Sequence, residues 1–383
     1  MNKSHLRIAI LGLEDFTAGG AHTAENLMLD QIRKSSPNCE VIVYDSNFQG
    51  NKLQKLINRL IRKLQFLQAL HTHTPLFWRF RLRYPLKKGS YIERKLEKLD
   101  VDLVIFVGIY EEALLLNRIP YVVTIWDLGH REFTYLPEMS NRGAFEWREW
   151  QIEKLAKRAV RVLVDSESTK NNLMSHYSIL EKSILVLPFA LQQNFIKETN
   201  YRENFAFYPA HFWSHKNHTI LVKAIKHLVD NGHIPRRLVL TGLDKGAKAH
   251  IDQLAADLGV TGFIDYKGFL SKSEIQSLYL RASITVMPSI LGPTNLPPLE
   301  SLLNGCPVAV TSAGSWGLTS FNGVLILDAF DISAWAKVLD SSYDLPIVEI
   351  SAVASRLEDL RETNHKILKD FFCEFKTLQS LYK

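Results

Sequence analysis

Apolar runs return along this chain at wide intervals, and the stretch after each run brings apolar residues back every three or four positions. LRIAILGL reads as a buried parallel strand, because a strand covered on both faces loses its polar alternation. Runs from Glu40 to Tyr44, Val101 to Val107 and Tyr121 to Trp126, then RVLVDS and SILVLPFA, predict the other strands of a first half. Helical patterns separate them: EDFTAGGAHTAENLMLDQIRK, a stretch through EEALLL, Glu146 to Arg158, and a helix capped by Ser166 or Ser168. The polar run LQQNFIKETNYREN reads as a linker. A second half repeats the alternation, with strands at FAFYP, RLVLTGL, FIDY and Ser283 to Pro288, and helices ended by Gly232 and carried by KAHIDQLAADLG. Pro297 and Pro298 open a further helix that closes near Gly305, since proline suits a first turn whose N–H has no intrahelical partner. Alternating strands and helices predict an α/β protein with domains over 1–190 and 203–362, and the last stretch, Ile332 to Lys383, is amphipathic.

The length of 383 residues and the 46% hydrophobic content suffice for two such cores. No window approaches the roughly 20 apolar residues of a membrane span, and MNKSHLRIAILGLED turns polar too early for a signal peptide, so a cytoplasmic chain is expected. Cys39, Cys306 and Cys373 lie far apart without metal-ligand spacing, which predicts reduced thiols and no zinc or iron site. The net charge of +6 is local: Ser46 to Ile92 holds ten Lys or Arg and no Asp or Glu, and the rest of the chain is net acidic. Within that segment Leu53, Leu56, Ile57, Leu60, Ile61, Leu64 and Leu67 share one helix face, while Lys52, Lys55, Arg59, Arg62 and Lys63 share the other. Such a helix either packs on its own domain with a solvated cationic face or meets an anionic lipid surface at 46–92, a peripheral position on the inner face of a membrane. No nucleic-acid-binding motif accompanies the basic charge.

Three loops carry candidate chemistry. Gly292 to Leu296 precedes the proline-opened helix, so the amides of Thr294, Asn295 and Leu296 stand at the positive end of a helix dipole, where a phosphate is favoured; a plain turn capped by Asn295 is the alternative. Glu300, one turn in, reaches back as an acceptor for hydroxyls. Gly19 and Gly20 let backbone approach a ligand after the first strand, or form a simple turn. Asp127, His130 and Arg131 follow the carboxyl end of a strand, where open α/β sheets place ligands, although a His-Arg pair in a loop is also common structural furniture.

PSILGPTNLPPLESLLNGCPV resembles the PSxxEGFGLPxLEAxxxGxPV signature of the family 4 (group 1) retaining glycosyltransferases of GT-B fold. The second of the family's paired glutamates falls on Glu300, and the first, which helps hold the donor sugar, falls on Gly292. Lys216 matches the lysine of the family's GRLxxxK element, while Ala210 and His211 replace its glycine and arginine. The family's His-Asp pair becomes Trp126-Asp127 here.

The resemblance implies two doubly wound Rossmann-like domains facing a central cleft, with the final helix, about 366–383, crossing back to the first. It implies that His211, Lys216, Thr294, Asn295, Leu296, Gly19 and Gly20 bind a diphosphate, that Glu300 binds the ribose, and that Tyr266, Gly268, Phe269 and Leu270 hold the base. Asp127, His130 and Lys216 would serve catalysis. The expected activity is transfer of a hexose, in mannosyltransferase-like fashion and with retained configuration. The donor is a nucleotide-sugar and the acceptor a glycan or lipid-linked glycan, in cell-surface polysaccharide or lipopolysaccharide synthesis. No cofactor and no metal are expected beside the nucleotide-sugar co-substrate. A non-catalytic GT-B subunit that binds a nucleotide-sugar or glycan is the alternative, and an epimerase of the same fold a third reading.

Overall fold

The structure is a computed structural model that describes residues 5–11, 20–36, 39–44, 90–191, 202–292, 296–312, 318–319 and 321–382. Gly19, Thr294, Asn295 and nearly all of the basic segment 46–92 lie outside the described residues. Two compact units emerge: residues 1–130, 142–189 and 361–383 form one, and 131–141 with 190–360 form the other.

The first unit is built on a six-stranded parallel sheet in the order β2-β1-β3-β4-β5-β6. Its strands are β1 (Leu6–Leu11), β2 (Cys39–Tyr44), β3 (Leu103–Phe106), β4 (Tyr121–Thr124), β5 (Arg161–Val164) and β6 (Ile184–Val186). Strands β3 and β4 are buried along their whole length, as their runs of apolar residues require, and the one hydroxyl among them, on Thr124, donates to the Phe106 carbonyl at 2.9 Å. Helices Gly20–Ser35, Tyr91–Lys98, Ala144–Ala156 and Glu167–Tyr177 supply its layers. Ser166 caps the last of these, its hydroxyl accepting the Thr169 N–H at 3.2 Å. The EEALLL stretch is a 3-10 turn, Glu111–Leu115.

The second unit has a six-stranded parallel sheet in the order β12-β11-β10-β7-β8-β9. Its strands are β7 (Glu203–Pro209), β8 (Arg237–Thr241), β9 (Ile264–Tyr266), β10 (Ala282–Met287), β11 (Val308–Thr311) and β12 (Val324–Leu327). Counted from β7, the order is that of a doubly wound dinucleotide-binding sheet, and its direction of winding reverses between β7 and β10. In sheets of this order the helices that follow those two neighbours pack on opposite faces, and ligands bind outside the carboxyl ends of the strands at that switch point.

One helix, Ile350–Tyr382, runs through the residue 360/361 boundary of the two units. Its later part presents Leu368, Phe371, Phe372 and Phe375 to the first sheet, in one apolar cluster with Leu6, Ile8, Ile10, Leu103 and Ile105. Burying such a side chain contributes about 1.5–3 kcal/mol, so this stripe is a substantial part of that core.

Candidate functional site

The residues after β7 and β10 meet in the second unit. Beyond β7 the chain passes Ala210 and His211 into a 3-10 turn, Ser214–Lys216, before the helix His218–Asp230. The turn is fixed at several points. Tyr208 donates its hydroxyl to the Lys216 carbonyl at 2.7 Å, Lys216 N–H bonds the Trp213 carbonyl at 3.1 Å, and Asn217, at φ +52°, donates from its amide to the Ala329 carbonyl at 2.8 Å. His218 lies between the rings of Tyr208 and Phe212, with centroids 4.6 and 4.4 Å away. Burial, aided by the Lys216 charge, pushes its pKa down to about 3, so the ring is neutral.

From β10 the chain enters Ser289–Gly292. Ile290 N–H bonds the His215 carbonyl at 2.9 Å and Thr311 donates its hydroxyl to the Ser289 carbonyl at 2.5 Å, which ties this loop to both neighbouring strand ends. Gly292 has φ +142°, a conformation open to glycine and strained for other residues. A β-carbon built on it would stand 3.6 Å from the Lys216 ammonium nitrogen and 3.7 Å from the Ser289 hydroxyl oxygen. Lys216 and Gly292, far apart in sequence, are therefore neighbours. Leu296 begins the helix Leu296–Leu303, with Pro297 and Pro298 in its first turn. Glu300 in this helix accepts the Tyr279 hydroxyl at 3.0 Å, and burial raises its pKa against that hydrogen bond.

His211 receives the Leu243 N–H on Nδ1 at 2.9 Å, which assigns its proton to Nε2, and its ring stacks with Phe269 at 6.1 Å between centroids. Gly242, which the sequence reading passed over, makes this possible. A β-carbon there would stand 2.5 Å from the Ala210 carbonyl oxygen and 2.9 Å from the His211 α-carbon, at φ +124°. Gly242 N–H also bonds the Gly268 carbonyl at 2.9 Å, and Tyr266 donates its hydroxyl to the Gly242 carbonyl at 2.7 Å. Three strand ends, β7, β8 and β9, are thus held at one glycine. Beyond them Phe269 is exposed, Gly268 and Leu270 are half-buried, and the Lys248 ammonium sits 4.4 Å from the centre of the Tyr266 ring.

In the first unit, Asp127 and His130 follow β4. Asp127 is partly exposed, accepts the Gly129 N–H at 2.9 Å, and has Arg148 at 3.8 Å. His130 stands in the short helix Gly129–Glu132 with no exposed surface. Its Nε2 lies 2.7 Å from Glu149 Oε1 and 3.2 Å from the Tyr177 hydroxyl, and burial lowers its pKa in spite of Glu149. The imidazole is engaged with those two residues and not with solvent. Asp165, one residue beyond β5, is also buried, with Thr169 donating to Oδ1 at 3.3 Å and Oδ2 without a hydrogen-bond partner among the described residues. Burial, and the Asp127 charge after it, raise its pKa to about 7. Gly20 opens the helix Gly20–Ser35. Among the described residues no group of three or more His, Cys, Asp or Glu could hold a metal ion, and no helix is long and apolar enough to cross a membrane.

Known proteins share this plan. The family described as "Glycosyltransferase Family 4" matches residues 24–190, and "Glycosyl transferases group 1" matches 191–349. The O-antigen chain mannosyltransferase RfbU of Salmonella typhimurium is 23% identical over 224 residues, 58% of this chain and 61% of that protein. The D-inositol 3-phosphate glycosyltransferase of Corynebacterium kroppenstedtii is 24% identical over 213 residues, 50% of this chain and 47% of that protein. The matches span less than two thirds of the curated relatives' lengths, from 64% down to 29%. Among solved structures, sucrose-phosphate synthase from Thermosynechococcus elongatus superposes with a TM-score of 0.62 at 15% identity, over 99% of this chain and 98% of its own. HepE of Anabaena, solved with UDP and glucose, gives 0.62 at 14% identity over 98% of this chain and 100% of its own. The lipopolysaccharide outer core galactosyltransferase WaaB gives 0.60 at 14% identity, over 96% and 100%. Two Rossmann-like units, the signature at the β10 turn and both family matches lead to one conclusion: this chain has the GT-B fold and belongs to the group 1 glycosyltransferases.

Proposed function

We propose that this glycosyltransferase moves a hexose from a nucleotide-sugar to a glycan or lipid-linked acceptor with retained anomeric configuration, in the synthesis of a cell-surface polysaccharide or lipopolysaccharide. The observation that carries this reading is the meeting of the Lys216 turn with the Ser289–Gly292 loop, where the second sheet reverses its winding. A lysine ammonium suits a diphosphate, and donors fixed in advance stabilise the charge that grows on the leaving group. His211 and the amides from Thr294 to Leu296 would share that work. Glu300 would accept the ribose hydroxyls, the Tyr266–Leu270 strip would hold the base, and Asp127 would position the sugar or the acceptor. His130, enclosed by Glu149 and Tyr177, would act by holding the Asp127 loop. Protein cations make a metal or other cofactor unnecessary in this scheme. UDP and UDP-glucose in the HepE structures, and the names of RfbU and WaaB, support a nucleotide-sugar donor and a surface-glycan acceptor.

The basic segment 46–92 would attach the enzyme to an anionic membrane face near its acceptor. Co-sedimentation with anionic but not neutral vesicles, lost at high salt, is the expected result, and equal sedimentation with both would exclude it. For the reaction, the purified protein is incubated with a panel of nucleotide-sugars and nucleoside diphosphate release is followed. Slow release without acceptor, quickened by a lipid-linked glycan, is expected. Binding with no turnover of any donor would instead identify a non-catalytic subunit, a reading that Gly292 in place of the donor-sugar glutamate favours.

A further inference from the structure

The segment Arg131–Asn141 begins within the short helix Gly129–Glu132, directly after His130 of the first unit, yet it belongs to the second. Its short helix, Pro137–Ser140, carries Glu138 to the Lys216 turn. Oε1 of Glu138 accepts the His215 N–H at 3.0 Å and lies 2.8 Å from His215 Nδ1. Both side chains are mostly buried, at 10% and 16% exposure, so this contact is shielded from water. On either side of Glu138, Leu136 and Met139 pack with Ile290 and Leu291 in a small apolar cluster that Phe133 and Ala329 border. One segment thus holds the Lys216 turn by hydrogen bonds and the β10 loop by packing. Those two loops are also bonded to each other, through Ile290 N–H and the His215 carbonyl.

We propose that Glu138 is a positioning residue for the anion site: by fixing His215 it sets where the adjoining Lys216 ammonium stands against the β10 loop. The proposal rests on the reading above, in which Lys216 meets the donor diphosphate. Hydrogen bonds from His215 hold the Glu138 carboxyl down at about 2 although burial alone would raise it, so the group is a carboxylate at every working pH. Such a carboxylate touches no phosphate. Its negative charge would repel one, and its contribution comes through the turn it orders. Lysine is a flexible point charge on a four-carbon stem, so its usefulness to a diphosphate depends on how firmly its backbone is placed.

Calorimetric titration of the full-length protein with UDP and with GDP tests this through a double-mutant cycle. Lys216→Ala is expected to weaken binding of the preferred nucleotide roughly tenfold, the loss of a hydrogen bond to a charged group. Glu138→Gln, which keeps an acceptor for the His215 N–H without the charge, should weaken binding about threefold, and Glu138→Ala about tenfold. Combined with Lys216→Ala, Glu138→Gln should change affinity by less than about twofold, because the cation it positions is gone. A purely structural Glu138 would lower the melting temperature and weaken binding equally in both backgrounds, and that result overturns the proposal. Wild-type affinity in Glu138→Gln overturns it as well. Should Glu138→Ala fail to fold, the glutamine cycle decides alone. If neither nucleotide binds the wild type, or Lys216→Ala binds as tightly as wild type, the reading of the site itself falls, and the positioning role falls with it.

Discussion

Asp165 and His218 are buried ionisable groups whose pKa values move in opposite directions, and each leaves a mark on stability. Asp165 ionises near pH 4 when unfolded and near 7 in the fold, where burial and Asp127 disfavour its charge. Between those values the folded chain holds a proton that the unfolded chain has lost, so stability from this group falls as pH rises from about 4 to about 7. Asp165→Asn removes that slope. Relative to wild type, the variant should gain on the order of 4 kcal/mol at most between pH 4 and pH 8, read by urea denaturation. A constant difference across that range would mean that Asp165 ionises normally. His218 works on the acid side. The unfolded chain takes up a proton near 6.5 while the fold, with a value of about 3, refuses it, so stability is lost as pH falls through that window. His218→Phe, which keeps a ring between Tyr208 and Phe212, should gain about 2 to 3 kcal/mol on wild type between pH 7 and pH 4.5. Parallel acid limbs for the two proteins would contradict the buried neutral imidazole.

At the scale of elements, the strand ends were legible before the structure, and what joins them was not. Apolar runs marked the strands from β1 to β10, and Pro297 and Pro298 marked the helix that begins at Leu296. The loops after β7 and β10 were picked out, and the sheet order makes them adjacent. Gly242 was missed because a glycine after a strand reads only as a turn, whereas its value lies in contact with Ala210 and His211, a long-range fact. Gly242→Ala should cost more than about 1 kcal/mol, since alanine is strained at this φ and its β-carbon meets fixed backbone. It should also weaken nucleoside diphosphate binding by moving His211. Wild-type stability and affinity together would show that the three strand ends tolerate separation. The role of Arg131–Asn141 was equally hidden, because helices as short as Gly129–Glu132 and Pro137–Ser140 carry no readable period. His130 looked like a loop histidine for the same reason. Its partners, Glu149 and Tyr177, come from two later helices that no local pattern connects to it.

Across the whole molecule, two units built on parallel six-stranded sheets have different work to do. In the second, the Lys216 turn meets the Ser289–Gly292 loop at the winding reversal, which we read as the donor site. In the first, the ends of β4 and β5 bring Asp127 near the buried Asp165. The helix Ile350–Tyr382 contributes residues to both units, so its stripe of Leu368, Phe371, Phe372 and Phe375 is core and not surface. The central claim is that Lys216 stabilises the departing diphosphate during sugar transfer. The most direct measurement is kcat/KM for nucleoside diphosphate release from the preferred nucleotide-sugar, compared between wild type and Lys216→Ala with circular dichroism unchanged. Loss of a preorganised donor to developing negative charge predicts a fall of about 100- to 1,000-fold. Turnover by Lys216→Ala at the wild-type rate would contradict the account.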